Sequence, residues 1–393
     1  MREIFTINGK RICSYNKAYS MCIAFYYALH VLTSVSTSLL PSSNSLSLFI
    51  RFSTYGLIFF ILISLTISSR RIFNLLGLES IVSFLFLFSA ISGSVSSLDW
   101  QSVYKLIATT YIPLFLAAYY ITDRKMLMNY LYYVANAAVP ILIAVAILSY
   151  GNWDYSYDMS LGYLMAFSVL IILAHFTIDN KLYNLILASL LSIFILFVGS
   201  RGPFICIIGF VLIELFLSRW LNVKKRLLVF FVLCTITCIS ILFRDDMLMV
   251  AYNLSNDLGF ESRSLFLLMQ GEAISHDSGR EILHEYYMNL INSKPFFGHG
   301  IMGKWISDGL YPHNIVLEFI LAFGYPVGLL ILISLVYIIV STLIKKNDKY
   351  SNALLILFIS YNLHLLISGS YLKVWQFFVC IALCLANQNR SVY

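Results

Sequence analysis

An all-α polytopic membrane protein of about twelve transmembrane helices, with one large, partly helical outer loop between helices nine and ten, is the architecture this sequence predicts. Three observations predict it. Of 393 residues, 60% are apolar and 11% charged, a composition unlike that of soluble multidomain enzymes or disordered chains. Apolar stretches of about 17 to 25 residues, each able to cross a hydrocarbon core of roughly 30 Å as a helix, recur along the whole length. The Lys and Arg residues behind the net charge of +7 sit in short clusters between those stretches rather than on one basic stripe. They therefore report orientation and argue against a nucleic-acid partner.

Taken in order, the basic segment MREIFTINGKRICSYNK has no cleavage pattern after it and reads as a retained cytosolic tail. Twelve spans follow, near residues 19–40, 46–67, 72–95, 103–121, 127–149, 159–178, 182–199, 203–218, 227–243, 312–344, 351–371 and 374–387. With the N-terminus inside, the inner segments collect Arg2, Lys10, Arg11, Lys17, Arg70, Arg71, Arg124, Lys125, Lys181, Arg219, Lys224, Lys225, Arg226, Lys345, Lys346, Lys349 and Arg390. Both termini are therefore expected to be cytoplasmic. The chain divides into helices one to nine (1–243), the long loop (244–311) and helices ten to twelve (312–393). Trp100, Trp153, Trp220, Trp305 and Trp375 fall at or beyond helix ends, where an indole prefers the headgroup level. Cys13 lies in the tail, and Cys22, Cys206, Cys234, Cys238, Cys380 and Cys384 lie in or beside apolar runs without C-x-x-C spacing. Neither a disulfide framework nor a zinc or redox motif is expected.

The loop holds nine acidic and five basic residues, so most of it is not a span. Within it, Arg280 to Ser293 has helical patterning, with Ile282, Tyr286, Asn289 and Leu290 approaching one face. The loop has no counterpart in the first half, contrary to a repeat-built transporter. Two motif matches fail on chemistry. GHGIMGKW (Gly298 to Trp305) has a phosphate-loop frame but ends in Trp305 where a hydroxyl should hold magnesium. His284 to Met288 begins like a zinc-protease helix but offers Met288 as the second ligand.

Four features carry chemistry. Arg201, in GSRGPF at the outer junction of spans seven and eight, runs against the orientation bias, and its planar guanidinium suits bidentate phosphate recognition. The plain alternative is a charge snorkelling to the interface. Arg280 opens the loop helix. Its end, Lys294-Pro295-Phe296-Phe297-Gly298-His299-Gly300, forms a turn able to approach a ligand closely, with His299 expected to tolerate Ala. Then comes YPHNIVLEFILAFGYPVG (Tyr311 to Gly328), where His313 and Asn314 occupy the exposed start of span ten, Asn314 equally readable as a cap. Glu318, one turn below Asn314 on the same face, is an ionisable group in an apolar run and thus a functional candidate.

In this order, the S-R-G junction, the Arg-led loop helix, the K-P-x-x-G-x-G turn and the H-N helix with G-x-x-V-G resemble the bacterial O-antigen polymerase and O-antigen ligase superfamily. The resemblance covers roughly residues 195–330 and the twelve-span layout; spans one to six contribute no motif. It implies a glycosyltransferase in the inner membrane whose large loop is periplasmic, acting on undecaprenyl-pyrophosphate-linked oligosaccharides. A polysaccharide chain-length regulator is a candidate partner. By the same resemblance Arg201, Arg280 and His313 are the catalytic residues.

Breaking a sugar–pyrophosphate bond develops negative charge on the leaving group, which fixed cations such as Arg201 and Arg280 stabilise without a metal or other cofactor. A histidine at position 313 suits deprotonation or orientation of the acceptor hydroxyl. Asn314, Lys294, Glu281 and Glu318 are candidates for holding the sugars, and the apolar lateral surface for meeting membrane lipids. Polymerase and ligase share this chemistry and differ in acceptor, a lipid-linked repeat unit or the lipid A core. The Phe-, Tyr-, Ile- and Ser-rich composition resembles variable O-antigen clusters and favours polymerase, with ligase the alternative. A flippase for the same lipids is the more distant alternative. It needs a polar midplane path, whereas Arg51, Glu79, Lys105 and Glu214 lie toward span ends and only His364 is central.

Overall fold

The computed structural model describes residues 4–7, 10–39, 112–150, 159–197, 202–217, 280–301, 311–345 and 347–389, with short pieces at 249–250, 252–253 and 257. The predicted spans 46–67, 72–95 and 227–243 and the larger part of the long loop lie outside these residues. The tail is not shapeless: β1 (Ile4–Ile7) pairs antiparallel with β2 (Lys10–Ser14), Ile7 opposite Lys10.

Helices follow. They are α1 (Tyr15–Leu39), α2 (Ile112–Tyr120), α3 (Arg124–Tyr150), α4 (Met159–Asp179), α5 (Leu182–Phe197), α6 (Gly202–Leu217), α7 (Arg280–Ser293), α8 (Ile315–Ile344), α9 (Lys349–Asn362) and α10 (Trp375–Asn389). Four helical stretches, Asn16–Val35, Arg124–Leu148, Ser160–Asp179 and Ile315–Ile344, are long and apolar enough to cross a membrane, and α5, α6 and α10 hold shorter apolar stretches. The described part of the chain is thus helical and multi-pass in character.

The centre is the pair α4 and α9. α4 is apolar all round and buried over most of its length, as expected of a helix surrounded by others. It packs against α1, α3, α5, α6 and α9, while α9 also meets α3, α8 and α10. Phe167 of α4 meets Tyr27, Phe358, Tyr361 and Trp375 edge-on or tilted, and Tyr27 Oη and Ser168 Oγ share a 2.6 Å hydrogen bond. Trp375 is therefore a buried core residue, not a headgroup anchor, because the aromatic cluster offers its ring more contact than an interface does.

Two further expectations are corrected. The apolar run 351–371 is not one helix: α9 ends at Asn362, and 3₁₀ turns at Leu363–Leu366 and Tyr371–Lys373 form a compact segment, with Gly369 at φ +81° between them. His364 lies in this segment, buried, rather than at the middle of a helical span. On α7 the buried face carries Tyr287 and Ile291, while Ile282 and Tyr286 point outward, one position away from the predicted stripe.

Candidate functional site

The site grows from the start of α8. His313 adopts a left-handed backbone (φ +55°), which for a residue with a Cβ costs about 1–2 kcal/mol and has to be held in place by its surroundings. Asn314 does part of the holding. Its Oδ1 accepts from the backbone N–H groups of Val316 (2.9 Å) and Leu317 (3.3 Å), capping α8, and its Nδ2 donates to the Leu366 carbonyl at 3.0 Å. One turn further, Glu318 is buried and accepts from Ser370 Oγ and, at 3.3 Å, from the Tyr371 N–H. The shared face of Asn314 and Glu318 is thus a pair of staples fixing the 363–373 segment to α8.

That segment delivers a cation. Ser370 Oγ accepts from the Leu372 N–H, capping the short turn that ends in Lys373. Lys373 Nζ stands 4.3 Å from the centroid of the Tyr311 ring, and the same ring lies 4.0 Å from the His313 imidazole. Burial lowers the Lys373 ammonium from its ordinary value, and the Glu318 carboxylate opposes that shift. A cation, an aromatic ring and an imidazole therefore stand together at the start of α8. Sequence reading missed Lys373, Tyr311, Ser370 and Tyr371. One signal was available: by the predicted topology Lys373 is a basic residue on the outer side, the argument already applied to Arg201.

The predicted turn after α7 interlocks with α8 through backbone alone. α8 departs from helical geometry at Gly324 (φ +74°, ψ 171°), two residues before Pro326. Pro326 has no N–H for the Ala322 carbonyl, and Tyr325 directs its own to Pro295 O at 2.7 Å, so the Leu321 carbonyl loses its helical donor as well. Both vacant acceptors are filled from the turn: His299 N–H reaches Leu321 O at 2.8 Å, and Gly300 N–H reaches Ala322 O at 2.9 Å. Glycine is required where the strands touch, since a Cβ on Gly298 (φ +64°) would stand 2.5 Å from Ala322 O and Gly324 N. The K-P-x-x-G-x-G and G-x-x-V-G patterns are thus two halves of one joint. His299 takes part through its ring as well, with Nε2 2.8 Å from Leu290 O and 3.3 Å from Ser293 Oγ.

The joint sets the course of α7. Its last turn is level with Leu321 to Tyr325, while Tyr287 and Ile291 pack with Ile320 and Leu321, and Leu283 joins the same cluster as Val316 and Leu317. α7 therefore runs back toward the His313 end, with the backbone of Arg280 one turn beyond Leu283. The side chains of Arg280 and Glu281 lie outside the described residues, as does Arg201 entirely. The residue after Arg201, Gly202, starts α6 in tight contact with Tyr163, whose ring lies 4.6 Å from His364 in the turn that Asn314 binds. Lys294 is exposed at the far end of α7, beside the joint, and is not brought to His313. Among the described residues no group of three His, Cys, Asp or Glu side chains gathers that could hold a metal ion.

Residues 186–333 match the protein-family model described as O-Antigen ligase. No curated protein and no solved structure matches the chain.

Proposed function

We propose, on the premise that residues 186–333 carry an O-antigen ligase family domain, that this protein transfers a glycan from a polyprenyl-pyrophosphate carrier to a sugar hydroxyl at the periplasmic face of the bacterial inner membrane. One observation carries the reading: the matched stretch, residues 186–333, contains Arg201, α7, the glycine joint and the His313-Asn314 element together. The proposed topology is twelve spans with both termini cytoplasmic, and the 244–311 loop outside.

In the proposed step the acceptor oxygen bonds the anomeric carbon as the carbon–oxygen bond to phosphate breaks, and the pyrophosphate leaves with the electron pair. Arg201 and Arg280 are assigned to its developing charge, and Lys373 joins them as a third cation. His313 takes the acceptor proton. Asn314 and Glu318 act as positioning residues, keeping His313 and Lys373 close to the Tyr311 ring. Undecaprenyl-pyrophosphate-linked oligosaccharides are the proposed donors, and a chain-length regulator is a proposed partner.

Two acceptors remain distinct. The description of the matched family supports the ligase reaction, with lipid A core as acceptor, and we place it first. The Phe-, Tyr-, Ile- and Ser-rich composition is the observation behind the polymerase reading, in which a second lipid-linked repeat unit accepts. Deleting the gene and resolving lipopolysaccharide on a gel separates them. Bare core with accumulated lipid-linked polymer is expected for the ligase, a single repeat on core for the polymerase, and an unchanged ladder refutes both.

A further inference from the structure

The thirty residues of α8 would span about 45 Å as a straight helix, against a hydrocarbon core of roughly 30 Å. The exposure pattern says where the surplus lies. From Ile315 to Gly324 the helix is mostly buried in protein, whereas Val327, Leu329, Leu330, Ile333, Val336, Tyr337, Val340 and Ile344 are exposed and apolar, the profile of a lipid-facing surface. One end of that surface is marked by Lys345. Counting back from it, the stretch from Tyr325 to Ile344 rises about 30 Å, the thickness of the core. The boundary at the other end therefore falls at the Gly324 break, where the loop turn is joined to α8.

Two large rings project at this level. Phe296 is 69% exposed and Phe297 91% exposed. Their height is fixed by backbone contacts: Pro295 O accepts the Tyr325 N–H at 2.7 Å, and the Phe296 carbonyl abuts Gly324. Leaving two adjacent phenylalanines in water at the edge of a lipid-facing belt forfeits the gain from burying them, and the belt itself, beginning at Val327, indicates what covers them. Lys294, exposed one residue before Pro295, stands where an ammonium meets headgroup phosphate.

We infer that the Phe296-Phe297 tip inserts into the lipid boundary and anchors the end of α7 to the membrane surface, its partner being the acyl chains and headgroups of the leaflet that Tyr325 faces. The glycine joint then has a purpose beyond holding two chain segments together. It couples the depth of the loop helix to the membrane-crossing part of α8, so that α7 and the start of α8 keep a set position relative to lipid. This inference does not rest on the transferase reading.

The test uses the full chain reconstituted into vesicles of phosphatidylethanolamine and phosphatidylglycerol, with benzoylphenylalanine replacing Phe297, a modest change at a ring already in the open. The same analogue at Phe296 provides a second reading of the tip. Leu330 serves as the lipid-facing reference and Glu285, exposed on α7, as the aqueous one. Illumination followed by intact mass measurement is expected to show a phospholipid adduct at 296 and 297 comparable with that at 330, and none at 285. Absence of lipid adduct at both tip positions while 330 labels, or a product of twice the chain mass showing that a second copy covers the rings, would overturn the inference. Because adduct mass is independent of glycan transfer, its failure and that of the proposed function are read separately.

Discussion

Replacing Gly298 with Ala attacks the joint between loop and membrane helix at its closest point. The left-handed backbone (φ +64°) penalises the new Cβ by about 1–2 kcal/mol. The methyl would also meet Ala322 O and Gly324 N at 2.5 Å, and both are backbone atoms that no side-chain rotation can move. Relief requires the turn to withdraw, which breaks the His299-to-Leu321 and Gly300-to-Ala322 hydrogen bonds. These contribute about 1 kcal/mol each. Their loss with the backbone penalty sums to roughly 3–4 kcal/mol, or a 10²–10³-fold larger open population. Hydrogen exchange of the full chain in lipid nanodiscs reads this locally: peptides covering 283–301 should lose protection by up to that factor, while those of α4 and α9 stay unchanged because they do not touch the joint. Wild-type exchange over 283–301 in Gly298→Ala would refute the claim that this backbone contact holds α7 in place.

His313→Gly should keep or slightly raise thermal stability, by about 1 kcal/mol since glycine accepts the left-handed backbone freely. Glycan transfer by the purified protein should nevertheless fall about 10²–10⁴-fold; wild-type transfer would remove the ring from the mechanism. For Lys373, Ala should lower transfer by roughly 10–10²-fold while leaving the protein folded, because the bonds from Ser370 and Tyr371 to Glu318 that fix this segment to α8 are kept. Since burial lowers the Lys373 ammonium, deprotonation begins at lower pH than for a free lysine. The alkaline limb of the rate profile should therefore start below about pH 10.4 in the wild type and move upward in Lys373→Arg, and coincident limbs would count against a charged Lys373 in the step. Arg201→Lys and Arg280→Lys should each lose activity although the charge is kept, because the guanidinium fork is gone; full activity would reduce both to general electrostatics. At the opposite end of the bundle, burial raises the Asp348 carboxyl, but hydrogen bonds from Ser351 and from the Tyr350 and Ser351 N–H groups, with the charge of Arg124, outweigh it and leave it lowered. A lowered carboxyl contributes stability above its unfolded value of about 3.9 and loses it as pH falls through the folded one. Wild type should thus melt above Asp348→Asn at pH 7 and converge with it in acid, and a gap unchanged by pH would contradict the assignment.

The sequence by itself determined the membrane class, most of the described helices and the order of the motif residues, because these depend on information that is local along the chain. Apolar runs state their own length, and α3, α4, α5, α6 and α10 start and stop within a few residues of their predicted limits. The cap at Asn314 is one of two readings open in the sequence, since a side chain serving N–H groups two and three residues ahead needs no distant partner. What only the tertiary structure decided is where the backbone leaves the helix, because each exit requires a partner for the polar groups it frees, and those partners lie far off in sequence. α9 ends at Asn362 with the Leu366 carbonyl and the Tyr371 N–H taken up by Asn314 and Glu318, more than fifty residues earlier. α8 breaks at Gly324 with the Leu321 and Ala322 carbonyls taken up by His299 and Gly300. Lys373 became a site residue by the same route, carried to Tyr311 by a turn that an apolar count of 351–371 reads as unbroken helix. An apolar run records that a segment prefers to leave water, whereas the donors and acceptors that let it bend there are supplied by whatever the fold packs against it.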